Sequence, residues 1–362
     1  MQLLTPYRNH ELALPNRIVM SPMTRLRSLP DGSPTADVVD YYAQRAAAGL
    51  IITEGIWPHS TGQSEAWTPG LQTEAHVGAW RRVTAAVHAN GGRIFAQLMH
   101  GGRKNHPLGR IDGSWPAGPS AVIDPDRVHL IEGGKADPIT PGELSRDDIT
   151  AIIGQYAAAA RNAVAAGFDG VEIHGANSYL VHQFLADNTN LRTDEYGGSI
   201  DNRMRAPLAI VDAVAEAIGS RRTAVRLSPG NPQFNMREDD PAPLYRKLVA
   251  ELDRRELAYL HLTDNDDYPA LKDLRPRWRG TLIANIGENR EPTAAEGAEA
   301  VLRDGVADLV SFGRAFIANP DLVERISRNL PLAPAREEGL YGRDAEGYTD
   351  YPAWSDSELS RL

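Results

Sequence analysis

Short, almost wholly apolar runs alternate with longer stretches in which apolar residues return every three to four positions. The apolar runs fall at 17–23, 50–55, 93–99, 170–174, 224–228, 259–263, 282–286 and 309–313. They read as parallel strands buried on both faces, because a strand covered by helices on each side keeps no polar face. The longer stretches include "DVVDYYAQRAAAG", "EAHVGAWRRVTAAVHANG", "SRDDITAIIGQYAAAARNAVAAG", "DNRMRAPLAIVDAVAEAIG" and "PAPLYRKLVAELDRRE". They read as amphipathic helices, several closed by glycine. Eight strands, each followed by a helix, predict an α/β fold of the (β/α)₈ TIM-barrel type. A doubly wound open sheet would need a Gly-rich fingerprint after its first strand, and this one ends in "MSPMTR". No linker divides the chain, so 1–362 is expected to form a single domain. Residues 104–145 exceed a plain βα loop and are expected to form an inserted subdomain after strand three that caps the barrel mouth.

Composition narrows this picture. A formal net charge of -10 argues against a nucleic-acid or anionic-membrane partner, since both call for a basic footprint. The absence of cysteine excludes disulfides, Cys-ligated zinc, iron–sulfur clusters and cysteine nucleophiles. The N-terminus shows no secretory pattern, and no apolar run nears the roughly 20 residues a membrane helix needs. The expectation is a cytoplasmic enzyme, monomeric or homodimeric.

In a barrel the chemistry gathers at the C-terminal ends of the strands. The sequence places there Thr24, Gly55, Gln97, His174, Asn177, Tyr179, Arg226, Gly287, Gly313 and Arg314. The crowding is greatest in "VEIHGANSYLVHQ", where a histidine, an amide and a phenol follow one apolar strand. Arg226, inside "TAVRLSP", either closes a structural ion pair or awaits an electron-rich ligand. A buried Gln97 needs partners without saying which. Gly313 and Arg314 suit a phosphate, or simply a tight turn. His174 lacks the Asp/Glu cluster that a metal site would add, although Glu172 shares its strand face. Ser178 has no nucleophile-elbow pattern.

Taken together, "LPNRIVMSPMTR", "YYAQRAAAGLIITEG", "IFAQLMHGGR", "AAGFDGVEIHGANSYLVHQFLADNTNLRTDEYGGSIDNR", "DLVSFGRAFIANPDL" and "GYTDYP" resemble the Old Yellow Enzyme family, the FMN-dependent ene-reductases. The resemblance spans nearly the whole chain, in order and spacing. It implies that Thr24 hydrogen-bonds the flavin C4 carbonyl, with Pro22 and Met23 beside the ring and Gly55 allowing close backbone approach. Gln97 would bind the pyrimidine edge and Arg226 the N1/C2 side. Gly287, Gly313 and Arg314 would hold the phosphate. His174 and Asn177 would donate to the substrate carbonyl, Tyr179 would supply a proton, and Tyr351 would line the pocket wall. NADPH or NADH would be the reductant, and an activated alkene the substrate. No metal is implied.

Departures from the family pattern point to substrate preference. Met99 stands where tryptophan is common, Glu65 where many relatives have tyrosine, and Trp67 lies nearby. Met99 and Trp67 are therefore expected at the substrate. These departures also motivate an alternative, a flavin-dependent biosynthetic reductase or isomerase dedicated to one metabolite.

Overall fold

All eight apolar runs become strands of one closed parallel barrel in the computed structural model, which describes residues 1–10, 12–232, 235–265, 267–286 and 293–354. An antiparallel hairpin, β1 (Tyr7–Asn9) with β2 (Leu12–Leu14), precedes it. The barrel strands are β3 (Ile18–Met20), β4 (Leu50–Ile56), β5 (Ile94–Leu98), β10 (Gly170–Gly175), β11 (Thr223–Leu227), β12 (Leu260–Thr263), β13 (Leu282–Asn285) and β14 (Leu309–Phe312). They pair in chain order, and β14 closes on β3. Every residue of β4, β5, β10 and β11 is buried, which is why these runs show no polar alternation.

The first strand is shorter than expected. It stops at Met20, and the chain then leaves the sheet. Pro22 carries no N–H with which to continue a ladder, so the apolar run outlasts the pairing. Residues 21–27 continue as irregular backbone.

The main outer helices are α1 (Ala36–Gln44), α2 (Glu74–Ala89), α3 (Arg146–Ala165), α5 (Ile200–Ile218), α6 (Pro241–Asp253) and α8 (Ala295–Arg303). Shorter ones are α4 (Leu180–Leu185), α7 (Ala270–Leu274), α9 (Arg314–Ala318) and α10 (Leu322–Arg328). A Ser145/Asp148 capping box starts α3, satisfying N–H groups that the first turn leaves without partners. Small residues on its inner face, Ala159, Ala160 and Ala163, are fully buried.

Between β5 and α3, β6 (Ala117–Gly118) pairs with β9 (Gly142–Glu143), and β7 (Val128–His129) forms a hairpin with β8 (Lys135–Ala136). The inserted segment thus holds a small hairpin of its own. Glu65, in the loop after β4, hydrogen-bonds His129 of this hairpin. The His129 ring also packs on Tyr341 at 5.8 Å between centroids. Loop, hairpin and C-terminal segment therefore meet over one barrel end. Among the described residues, no helix is long and apolar enough to cross a membrane.

Candidate active site

The sharp feature at that end is the exit of β10. Asn177 and Ser178 hold consecutive left-handed conformations, with φ of 54° and 68°. Asparagine tolerates this region better than most residues, and serine less well. The surroundings impose the turn. The Asn177 N–H donates to Ser228 Oγ at 3.0 Å, from the exit of β11. The Ser178 N–H donates to His182 Nδ1 at 3.2 Å, and His182 Nε2 donates to the buried Glu238 at 2.9 Å. Held so, the chain reverses at once and sets Tyr179 as the cap of α4, with its ring 5.0 Å from that of His174.

His174 is 3 % exposed. Burial drives its pKa well below the ordinary histidine range, and the charges of Arg226, His182 and His261 push the same way. It is a neutral imidazole. Burial raises the Tyr179 phenol far above its ordinary value, with Glu65 adding to the shift, so the phenol keeps its proton at neutral pH.

Beneath these groups lies a polar layer contributed by several strands. Gln97 stands in register opposite Glu172, and His174 opposite Arg226, which in turn faces His261. Gln97 Nε2 donates to Glu172 Oε1 at 2.7 Å, and His261 Nδ1 donates to Glu172 Oε2 at 3.0 Å. Burial raises the Glu172 pKa, but His261, Arg226 and Gln97 outweigh it and hold the group below the usual carboxylate range. Arg226 donates to Asn285 Oδ1 at 3.2 Å. Its Nε is buried with no hydrogen-bond partner, an expensive state for a cation.

Other expected site residues fall nearby. Pro22, Met23 and Thr24 are half-buried just past β3, and Ser21 N bonds Phe312 O at 3.0 Å, which draws the ends of the first and last strands together. Gly313 lies beside Met23, while Arg314 is exposed at the start of α9. A Cβ on Gly55 would come within 2.4 Å of Met99 Sδ, so the thioether folds closely over the glycine. Trp67 is half-buried at φ 63°, with the Arg343 guanidinium 4.8 Å above its ring. Tyr351 packs with Ile317 and Ala318 near Met23, and its hydroxyl accepts from Arg336 N at 2.8 Å. Gly287 lies outside the described residues. Among the described residues, no three His, Cys, Asp or Glu side chains gather as metal ligands would.

Sequence reasoning passed over His261, Asn285, Ser228 and the support that Glu172 gives. The signal was present in part: His261 is a polar residue in the apolar run "YLHLT". Its direction and partners come only from closing the barrel.

The chain resembles known proteins over nearly its whole length. Residues 2–333 match the sequence model of the NADH:flavin oxidoreductase / NADH oxidase family. The chain is 41% identical to a probable flavin mononucleotide-dependent alkene reductase of Leishmania infantum, over 93% of each chain. It is 39% identical to 12-oxophytodienoate reductase 7 of Oryza sativa subsp. japonica, over 97% of this chain and 94% of that one. Morphinone reductase, in a complex with tetrahydroNAD, superposes with a TM-score of 0.93 at 44% identity, over 99% of both chains.

Proposed function

Because the chain belongs to the NADH:flavin oxidoreductase / NADH oxidase family, that of Old Yellow Enzyme, and is an FMN-dependent ene-reductase using a nicotinamide reductant, we propose that the strand-end residues described above are its flavin and substrate site. The residues fit such a cofactor. Arg226 keeps a buried donor without a partner, suited to an electron-rich ring edge. Among the described residues the Gln97 carbonyl oxygen makes no hydrogen bond, so it can accept from an N–H of the same edge. Thr24, Pro22, Met23 and Gly55 would flank the ring, and Gly313 and Arg314, with Gly287, would hold the phosphate. In this reading 1–362 is one FMN-binding domain with 104–145 as its cap.

When bound and reduced by NADH or NADPH, FMN would be the source of hydride for the β-carbon of an α,β-unsaturated carbonyl compound. The chain's own groups do the rest. His174 and Asn177 donate to the substrate oxygen and stabilise the negative charge that develops there, as an oxyanion hole does. As a neutral ring His174 can donate only from the nitrogen that carries its proton, so its tautomer decides whether it fills this role. Tyr179 gives its proton to the α-carbon from the opposite side. Its raised pKa makes it a protonated donor across the neutral range, with no competing phenolate. Met99, Trp67 and Tyr351 would border the substrate. The same reading extends the substrates to maleimides and nitroalkenes, and places the protein in the cytoplasm as a monomer or homodimer.

The observation that carries the proposal is the enforced turn at Asn177 and Ser178, which sets the Tyr179 ring beside that of His174. His174→Ala with Asn177→Ala tests it. The double variant should remain yellow yet lose most enone reduction, since removing one such donor typically costs about 3–4 kcal/mol of transition-state stabilisation. Reduction of cyclohexenone at the unaltered rate would move the oxyanion site elsewhere.

A further inference from the structure

Glu172 lies one layer below His174 inside the barrel, because residues two apart on a strand face the same side. It is fully buried. As an ionised carboxylate it has acceptors only, and both oxygens are used: Oε1 by Gln97 Nε2 at 2.7 Å and Oε2 by His261 Nδ1 at 3.0 Å. His261 Nε2 then meets Ser311 Oγ at 2.9 Å, so four strands brace one carboxylate.

An acceptor-only neighbour dictates how Gln97 stands. Its NH₂ must face Glu172, and its carbonyl must turn the other way. That nitrogen carries two hydrogens. One is taken by Glu172, and the other lies toward His174 Nδ1, 3.4 Å distant. A donor aimed at Nδ1 selects the ring form in which Nδ1 is a lone pair and the proton sits on Nε2. The Arg226 charge, in register beside His174, opposes adding a second proton.

From this geometry we infer that Glu172 is a positioning residue which, acting through Gln97, fixes His174 as its Nε2–H tautomer and turns the Gln97 carbonyl away from the barrel core. The inference rests on the reading of His174 as a donor to the substrate oxygen. In the other tautomer Nε2 would present a lone pair to that oxygen and repel it. Without an ionised Glu172, the Gln97 amide can rotate and offer its carbonyl to Nδ1, which would favour that wrong tautomer.

The test is Glu172→Gln in the FMN-loaded protein, with ¹⁵N-labelled histidine followed by NMR and the His174 signals assigned by their loss in His174→Ala. The wild-type protein should show Nε2–H alone near neutral pH. The variant should show Nδ1–H or a mixture, and its affinity for a para-substituted phenolate should fall roughly tenfold, the scale of one net hydrogen bond. A pure Nε2–H signal in Glu172→Gln overturns the inference. Should that variant not fold, Gln97→Leu removes the amide while keeping the carboxylate. The same mixture is expected there, and an unchanged Nε2–H signal is equally decisive against it. Phenolate binding by His174→Ala checks the underlying reading separately: undiminished affinity would remove His174 from the substrate site, whatever tautomer it holds.

Discussion

Two buried clusters set arginine beside glutamate, one behind the C-terminal segment and one inside the barrel. In the first, Arg25, Arg27 and Arg45 are each almost wholly buried. Arg25 donates to the carbonyls of Leu340, Gly339 and Gly347, Arg27 to those of Asp344, Gly339 and Glu346, and Arg45 to those of Phe316 and Ile317. Tyr41 stacks on Tyr348 at 4.0 Å, with the Arg45 guanidinium 3.8 Å from the Tyr41 centroid. In the second cluster Arg226 reaches Asn285 and keeps an unpartnered Nε. The carboxylates diverge likewise. Burial pushes Glu54 up to about 7 even though Arg25 and Arg27 lie near, while Glu172 is held below its usual range. A nearby cation is therefore not enough: Glu54 takes one backbone N–H, from Arg25, and leaves Oε1 unpartnered, whereas Glu172 collects two direct side-chain donors. A cluster that fastens the chain directs its cations at carbonyls. The barrel cluster satisfies its carboxylate and leaves a cation's donor open.

Arg25→Met should separate the two most strongly. It leaves carbonyls such as Gly347 O without their donor, at an expected stability loss of about 4 kcal/mol. The folded fraction should still bind FMN with wild-type affinity. Denaturant unfolding with and without FMN checks both halves, and a selective loss of flavin binding would merge the clusters.

Glu54 gives a pH signature. Its folded pKa is raised from 4.5 to about 7, so the folded state binds the proton more tightly than the unfolded chain does. Stability from this group is complete below about pH 4.5 and is lost as pH rises through about 7, on the order of 3 kcal/mol in all. Glu54→Gln should flatten that slope and be the more stable protein at pH 8. An unchanged slope in urea titrations from pH 5 to 8 would assign it to another group.

Arg226→Met should have the smallest effect on folding and a clear one on the ligand. Loss of a charged hydrogen bond predicts FMN weaker by about 2 kcal/mol, roughly thirtyfold in affinity, with a lower reduction potential for the bound flavin. Full occupancy and an unshifted potential would make Arg226 structural, like Arg25.

Much of this protein was written in the order of its residues. Parallel strands buried on both faces are mostly apolar, so all eight were legible, and the polar residues where those runs end pointed to the candidate site. Polar side chains inside a strand carry no such local rule. Gln97, Glu172, His174, Arg226 and His261 come from four different strands, and which of them donates to which depends on the register that barrel closure imposes. The packing of Met99 over Gly55 was likewise invisible locally, because the two meet only across β4 and β5. The arginines of 25–45 meet their carbonyls some 300 residues later, too far along the chain for any local pattern to record. Hydrophobic periodicity is a property of neighbours in sequence, so the chain alone determined the elements. Hydrogen-bond partners and pKa shifts are properties of neighbours in space, so only the folded barrel decided which buried charges meet carbonyls and which keep a donor open.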